Sequence, residues 1–148
     1  MKYHYLIAIT ALFILPSCQS EQDKAQAQVT GLEQQIDADP TTEKAQELLA
    51  AYQDYLARFP DDAEAAPRYL YRAAALQYRM NRFSGAIASL TQAIKDYYDS
   101  PHTSKSTIFL GDIYQDKLNN EDNAITVYQA LIRAFPDSED SKKAHEKL

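Results

Sequence analysis

Apolar residues between Leu70 and Phe135 recur at helical spacing and fall into two matching blocks. In the second block, Leu110, Gly111 and Tyr114 share one helical face, and Ala124, Tyr128, Leu131 and Ile132 share another that faces it. That pattern predicts two short antiparallel helices, with Gly111 and Ala124 as the smallest residues at their contact point. The polar stretch Leu118–Asp122 supplies the turn, since Asn tolerates left-handed angles and acids suit a helix start. Moving back by 38 residues superimposes the first block: Leu70, Ala73, Leu76, Ala86, Leu90 and Ala93 fall onto Ile108, Gly111, Tyr114, Ala124, Tyr128 and Leu131. Phe59, Tyr97 and Phe135 keep the same step. A fixed period of this size predicts a helical repeat whose units stack on one another.

The remaining elements follow from the same reading. A helix over Thr42–Phe59 buries Ala45, Leu48, Leu49, Tyr52, Tyr55 and Leu56, is opened by Asp39-Pro40-Thr41, and ends at Phe59-Pro60. By the period it is the second helix of an incomplete first unit. The next helix spans Asp62 to Met80. Pro67 falls inside it, so that it either starts late, at Ala66-Pro67, or kinks there. Phe83–Tyr97 is its partner, and Ser100-Pro101 opens the following helix. After Phe135-Pro136, the run Ser138–Leu148 has only Ala144 and Leu148 as apolar residues, which predicts a polar helix closing the stack. Ala25, Val29, Leu32 and Ile36 recur at 4-3-4 spacing within an otherwise polar stretch. They predict a frayed helix packing loosely on the first unit. The other reading, a short coiled coil that oligomerises the chain, lacks the three to four heptads such a coil wants. No segment alternates at period two, so the fold class is all-α.

The L-G-x-x-Y at Leu110–Tyr114, the Ala thirteen residues after Gly111, the aromatic four further on and the closing Phe135-Pro136 together resemble a tetratricopeptide repeat. The resemblance covers roughly residues 42–148. It departs from the pattern at Arg72-Ala73, which replace the Leu-Gly pair, and in an extra residue within the turn between paired helices. It implies a short right-handed solenoid of antiparallel helix pairs. Its units are about 62–99 and 100–137, with a half repeat before and a capping helix after. It also implies a concave groove that binds a peptide or another protein, lined by the first helix of each pair. The matching positions are Leu70, Ala74, Gln77 and Tyr78, then Lys105, Ile108, Asp112, Gln115 and Asp116. The alternative for these residues is packing against the neighbouring helix. The Lys and Asn pattern with which some relatives clamp a terminal carboxylate is absent.

At 148 residues the chain is long enough for one domain. Its start changes the picture. Met1-Lys2, an apolar run from Leu6 to Leu15 broken by Thr10, and Leu15-Pro16-Ser17-Cys18 follow one another. The run is too short to span a bilayer and reads as a leader, residues 1–17. The arrangement resembles a bacterial lipoprotein signal, which implies that Cys18, the only cysteine, is acylated and becomes the mature N-terminus. Residues 18–41 are then a lipidated, polar and partly helical tether. An ordinary secretory signal that leaves a free thiol, or an uncleaved anchor, are the alternatives. Removing Lys2 takes the formal charge from −6 to −7, which disfavours nucleic acid as a partner.

Candidate chemistry is sparse. His102 and His145 have no second His or Cys at ligand spacing, so no metal is expected. The acids at Asp61-Asp62-Glu64, Glu121-Asp122 and Asp137-Glu139-Asp140 sit at helix starts, where the macrodipole favours them. No nucleophile motif or phosphate-cradling loop occurs, so neither a cofactor nor an enzymatic role is expected. Tyr71 and Tyr78 lie off the main buried stripe and are candidates for surface recognition. The leader and the F-P-D-S closure together are similar to periplasmic tetratricopeptide relatives. These include the lipoprotein of the outer-membrane β-barrel assembly machine and the Tol–Pal-associated cell-division coordinators. They imply an adaptor tethered at the outer membrane and facing the periplasm, with a protein or peptide partner. A self-oligomerising spacer is the competing expectation.

Overall fold

The structure, a computed structural model, describes residues 16–148, with side chains from Glu21 onward. Residues 1–15, on which the leader expectation rests, and the Cys18 side chain lie outside that range. The described residues form seven helices and no strand: α1 (Pro16–Ala38), α2 (Thr42–Arg58), α3 (Ala65–Arg79), α4 (Phe83–Asp96), α5 (Thr103–Asp116), α6 (Glu121–Ala134) and α7 (Glu139–His145). Each helix packs on the next in sequence, giving pairs α1/α2, α3/α4 and α5/α6, and α7 folds against both α5 and α6. The described residues thus form the all-α stack of helix pairs that the period predicts, consistent with the solenoid that the resemblance implies.

Local chemistry sets the helix ends. Thr41 Oγ1 accepts the Lys44 N–H at the start of α2, Asn120 Oδ1 accepts the Asn123 N–H at the start of α6, and Ser138 Oγ accepts the Ser141 N–H at the start of α7. Asp62 does the same for α3, where its Oδ1 takes the N–H groups of Glu64 and Ala65. With α3 beginning at Ala65, Pro67 falls in the first turn, where a missing N–H costs nothing because that group has no partner within the helix. The late start, rather than a kink, is what occurs. The turns inside the second and third pairs pass through Asn81 and Asn119 at φ of 57° and 47°, the left-handed region that Asn enters more readily than most side chains.

α1 packs on α2, where the sequence reading expects a half repeat from residue 42 preceded by a partly helical tether over residues 18–41. α1 is a regular helix of 23 residues. Ala25, Val29, Leu32 and Ile36 are all buried in one cluster with Leu48, Leu49, Tyr52, Tyr55 and Tyr69. A glycine within a helix costs about 1 kcal/mol, while burying each Val, Leu or Ile contributes about 1.5–3 kcal/mol, so Gly31 does not stop the helix. Polar ties finish the docking. Gln22 and Gln26 donate to the Tyr55 hydroxyl at 3.2 and 2.8 Å, that hydroxyl donates to Asp62, and Arg72 donates twice to Glu33 at 2.6 and 2.7 Å.

Two further clusters continue the core, one around Ala74, Ala86, Leu90, Leu110 and Ile113, the other around Ile108, Ala124, Tyr128, Leu131 and Ala144. Close approach within the third pair is made by Gly111 against the Tyr128 ring: a Cβ added there would fall 2.7 Å from Tyr128 Cδ1. Ala124, expected to oppose Gly111, is buried one turn earlier on α6.

Candidate protein-interaction face

The first helices of the pairs, α1, α3 and α5, together with α7, line two depressions. One, of about 500 Å³, lies between α3, α5 and α7 and is bordered by Tyr71, Lys105, Ile108, Phe109, Asp112 and Asp140. The other, of about 300 Å³, lies between α1, α2 and α3 and is bordered by Glu33, Ile36, Tyr52, Arg72 and Arg79.

Tyr71 and Phe109 border the larger depression and begin a row of aromatic rings that continues outside its lining. Tyr71 and Phe109 have centroids 5.9 Å apart, Phe109 and Tyr78 5.4 Å, and Tyr78 and Phe83 5.7 Å. Lys105 Nζ lies 5.9 Å from the Tyr71 ring and Lys117 Nζ 5.3 Å from the Tyr78 ring, within cation–π range. The acids are already engaged. Asp112 Oδ1 accepts from the Tyr128 hydroxyl at 2.7 Å and from Lys147 at 2.9 Å. Asp140 accepts from Ser104 at 3.0 Å and pairs with Lys143 at 3.4 Å. Burial first, then the Asp112 hydrogen bond and the charges of Asp112 and Asp116, push the Tyr128 hydroxyl well above its ordinary pKa. It therefore remains a donor that ties α6 to α5. Tyr52 is raised in the same way by burial and then by Glu33, whose carboxylate it meets at 2.5 Å.

The expected groove residues separate into two groups. Lys105, Ile108 and Asp112 border the larger depression, while Tyr78, Gln115 and Asp116 are exposed or half-exposed outside its lining. Leu70, Ala74 and Gln77 do not reach it, a correction to the positions carried over from the repeat pattern. Leu70 is 2 % exposed, Ala74 is fully buried in the middle cluster, and Gln77 accepts from Ser89 at 2.9 Å while its amide abuts Gly85. These three form the i, i+4, i+7 stripe by which α3 packs on its neighbours. One residue further along rotates the helix by about 100°, and it is Tyr71 and Ala75 that border the depressions. Phe109 escaped the sequence reading, although it lies one 38-residue step from Tyr71. The contributions of Asp140, Lys143 and Lys147 were not legible either, because a polar capping helix gives no sign of folding back over α5.

Among the described residues, no cluster of three or more His, Cys, Asp or Glu is placed to hold a metal ion, and no helix is long and apolar enough to cross a membrane. His102 precedes α5, and burial, then the charges of Lys105, Arg68 and Arg72, hold its imidazole below the ordinary pKa.

No curated protein matches the chain. Residues 71–139 match the family model described as "Tetratricopeptide repeat". That match runs from the middle of α3 into the start of α7 and contains both Asn turns, the Gly111–Tyr128 contact and the aromatic row. This stretch of the chain is therefore similar to tetratricopeptide repeats.

Proposed function

We propose that the chain is a protein–protein interaction scaffold of the bacterial cell envelope, tethered through a lipid on Cys18. It takes its partner on the face made by α1, α3, α5 and α7. The observation that carries this reading is the state of the surfaces. Both ends of the stack are closed by helices with polar outer faces, while the side lined by α3, α5 and α7 keeps half-exposed aromatic rings in an open depression. Repeat segments of this family suggest a scaffold role. The leader supports the envelope setting and the outer membrane facing the periplasm, and an adaptor in outer-membrane assembly is the finer reading. A catalytic role and a cofactor have no place in it. Self-assembly through α1 is disfavoured, because its apolar stripe is spent inside the molecule.

Crosslinking in the native envelope followed by co-purification tests the reading. Proteins recovered with the wild-type chain are expected to be retained by Thr126→Lys/Gln129→Lys, exposed on α6, and lost with Lys105→Glu/Asp116→Lys. Recovery that does not distinguish the two variants would remove the proposed face. Cys18→Ser is expected to release the chain from the membrane fraction; membrane retention would remove the lipid tether.

A further inference from the structure

We infer that a third depression, at the α1–α2 and α3–α4 turns, binds a small amphiphilic carboxylate: one anionic head on one short apolar chain. Its volume is about 380 Å³, and Ile36, Ala45, Leu76, Met80, Arg79 and Arg82 border it. The apolar side is cut from the core. Ile36, Ala45 and Leu76 belong to the cluster that α1 covers, and Met80 packs against that cluster half-buried. The polar side has two exposed arginines and no acidic residue, on a chain whose formal charge is −6. Thr42 also borders it, which brings the positive end of the α2 dipole to its rim.

The fold makes no use of these arginines. Among the described residues, neither side chain has an ion pair, a hydrogen bond or a ring contact. An arginine at the end of a helix can satisfy its last carbonyls, but backbone N–H groups already do so here. Met80 donates to Leu76 and Gln77, Asn81 to Tyr78, and Arg82 to Gln77. The nearby acids do not neutralise the pair either. Asp39 pairs with Lys44 at 2.7 Å, and Glu33 with Arg72 at 2.6 Å. Asp37 borders the adjoining depression, which shares Ile36, Leu76 and Arg79 with this one, yet it forms no ion pair with either arginine. A carboxylate head can accept from a guanidinium through both oxygens, while the chain behind it covers the apolar side. The volume takes one short chain and not the paired long chains of a membrane lipid. About 27 Å of helix rise also separates Ile36 from residue 18, near the other end of α1. The occupant is therefore a soluble monomer, neither a bilayer nor a lipid on Cys18.

Isothermal titration of the full chain carrying Cys18→Ser, which holds no lipid, tests this. The probes are octanoate, acetate, octanol and octyltrimethylammonium. Octanoate is expected to bind about tenfold tighter than octanol or octyltrimethylammonium through its head, and about tenfold tighter than acetate through its chain. Arg79→Gln/Arg82→Gln, at exposed positions, is expected to lose roughly tenfold in octanoate affinity with the thermal midpoint unchanged. Lys105→Glu/Asp116→Lys, outside this depression, is expected to keep the affinity, so the result stands apart from the scaffold reading. Octanoate binding no tighter than that of acetate or octyltrimethylammonium overturns the inference, as does unchanged affinity in the arginine variant. Sedimentation with phosphatidylglycerol vesicles separates the source of the anion. Recovery with the vesicles is expected to be the same with and without the two arginines; recovery that the arginine variant abolishes would overturn the soluble ligand in favour of a membrane surface.

Discussion

Gly111 and Gly31 occupy helices of the same fold and have opposite requirements. At Gly111 the Tyr128 ring fills the space a side chain would need, and that ring is also fixed through its hydroxyl to Asp112. Gly111→Ala is expected to destabilise the chain by about 1–3 kcal/mol, the usual cost of overpacking. At Gly31 nothing lies within 4 Å of an added Cβ. Gly31→Ala is therefore expected to stabilise by up to about 1 kcal/mol, because Ala loses less backbone entropy in a helix. Chemical unfolding of the two variants checks both signs. Asp62 supplies a pH dependence. Burial raises its pKa, but hydrogen bonds from the Ala65 N–H, the Tyr55 hydroxyl, Gln22 and the Glu64 N–H outweigh that and leave it below the ordinary value. Its contribution is thus fully present above the unfolded value of about 3.9 and is lost as pH falls through the lower folded value. The stability gap between wild type and Asp62→Asn is expected to close on acidification below about pH 4; a gap independent of pH would refute this role.

At the scale of helices, pattern and packing diverge at two places, and both show what a sequence conveys. The paired helices α3/α4 and α5/α6 were legible because their small and large residues keep a common step, and the step also places Asn81 and Asn119 at equivalent turns. α1 was legible as a frayed amphipathic helix resting loosely on the first unit but not as a firm member of the stack, since its polar composition and Gly31 argue locally for a tether. What decides is tertiary: Tyr52, Tyr55 and Tyr69 offer a surface that Val29 and Leu32 cover. The groove erred for a different reason. A repeat pattern fixes which residues recur but not how far the helix is turned, and a rotation of about 100° exchanges Leu70 and Ala74 for Tyr71 and Ala75. Leu32→Ala measures the first point. Deleting a buried Leu side chain is expected to cost about 2–5 kcal/mol in global unfolding, whereas a change within a loose tether would leave the transition where it was.

For the whole molecule, three pairs and a cap leave each cluster of apolar side chains covered by its neighbours. The outward side of α1 carries Asp23, Lys24, Gln28, Gln34 and Asp37, and that of α7 carries Glu139, Lys142 and Lys143. Among the described residues, neither of these helices turns an apolar stripe outward for a second copy. A chain beginning at Gln19 is expected to be monomeric by light scattering at micromolar concentration; a trimer or tetramer would restore the self-assembling reading. The scaffold role depends on α1 being part of the stack, because only then is the apolar side of α2 covered and the lateral face the surface left to offer. Amide hydrogen exchange of the native chain asks this directly. If α1 belongs to the stack, the amides from Val29 to Ile36 open with a free energy close to that of α3. Exchange of those amides at the rate of an unstructured chain, with α3 still protected, would contradict it.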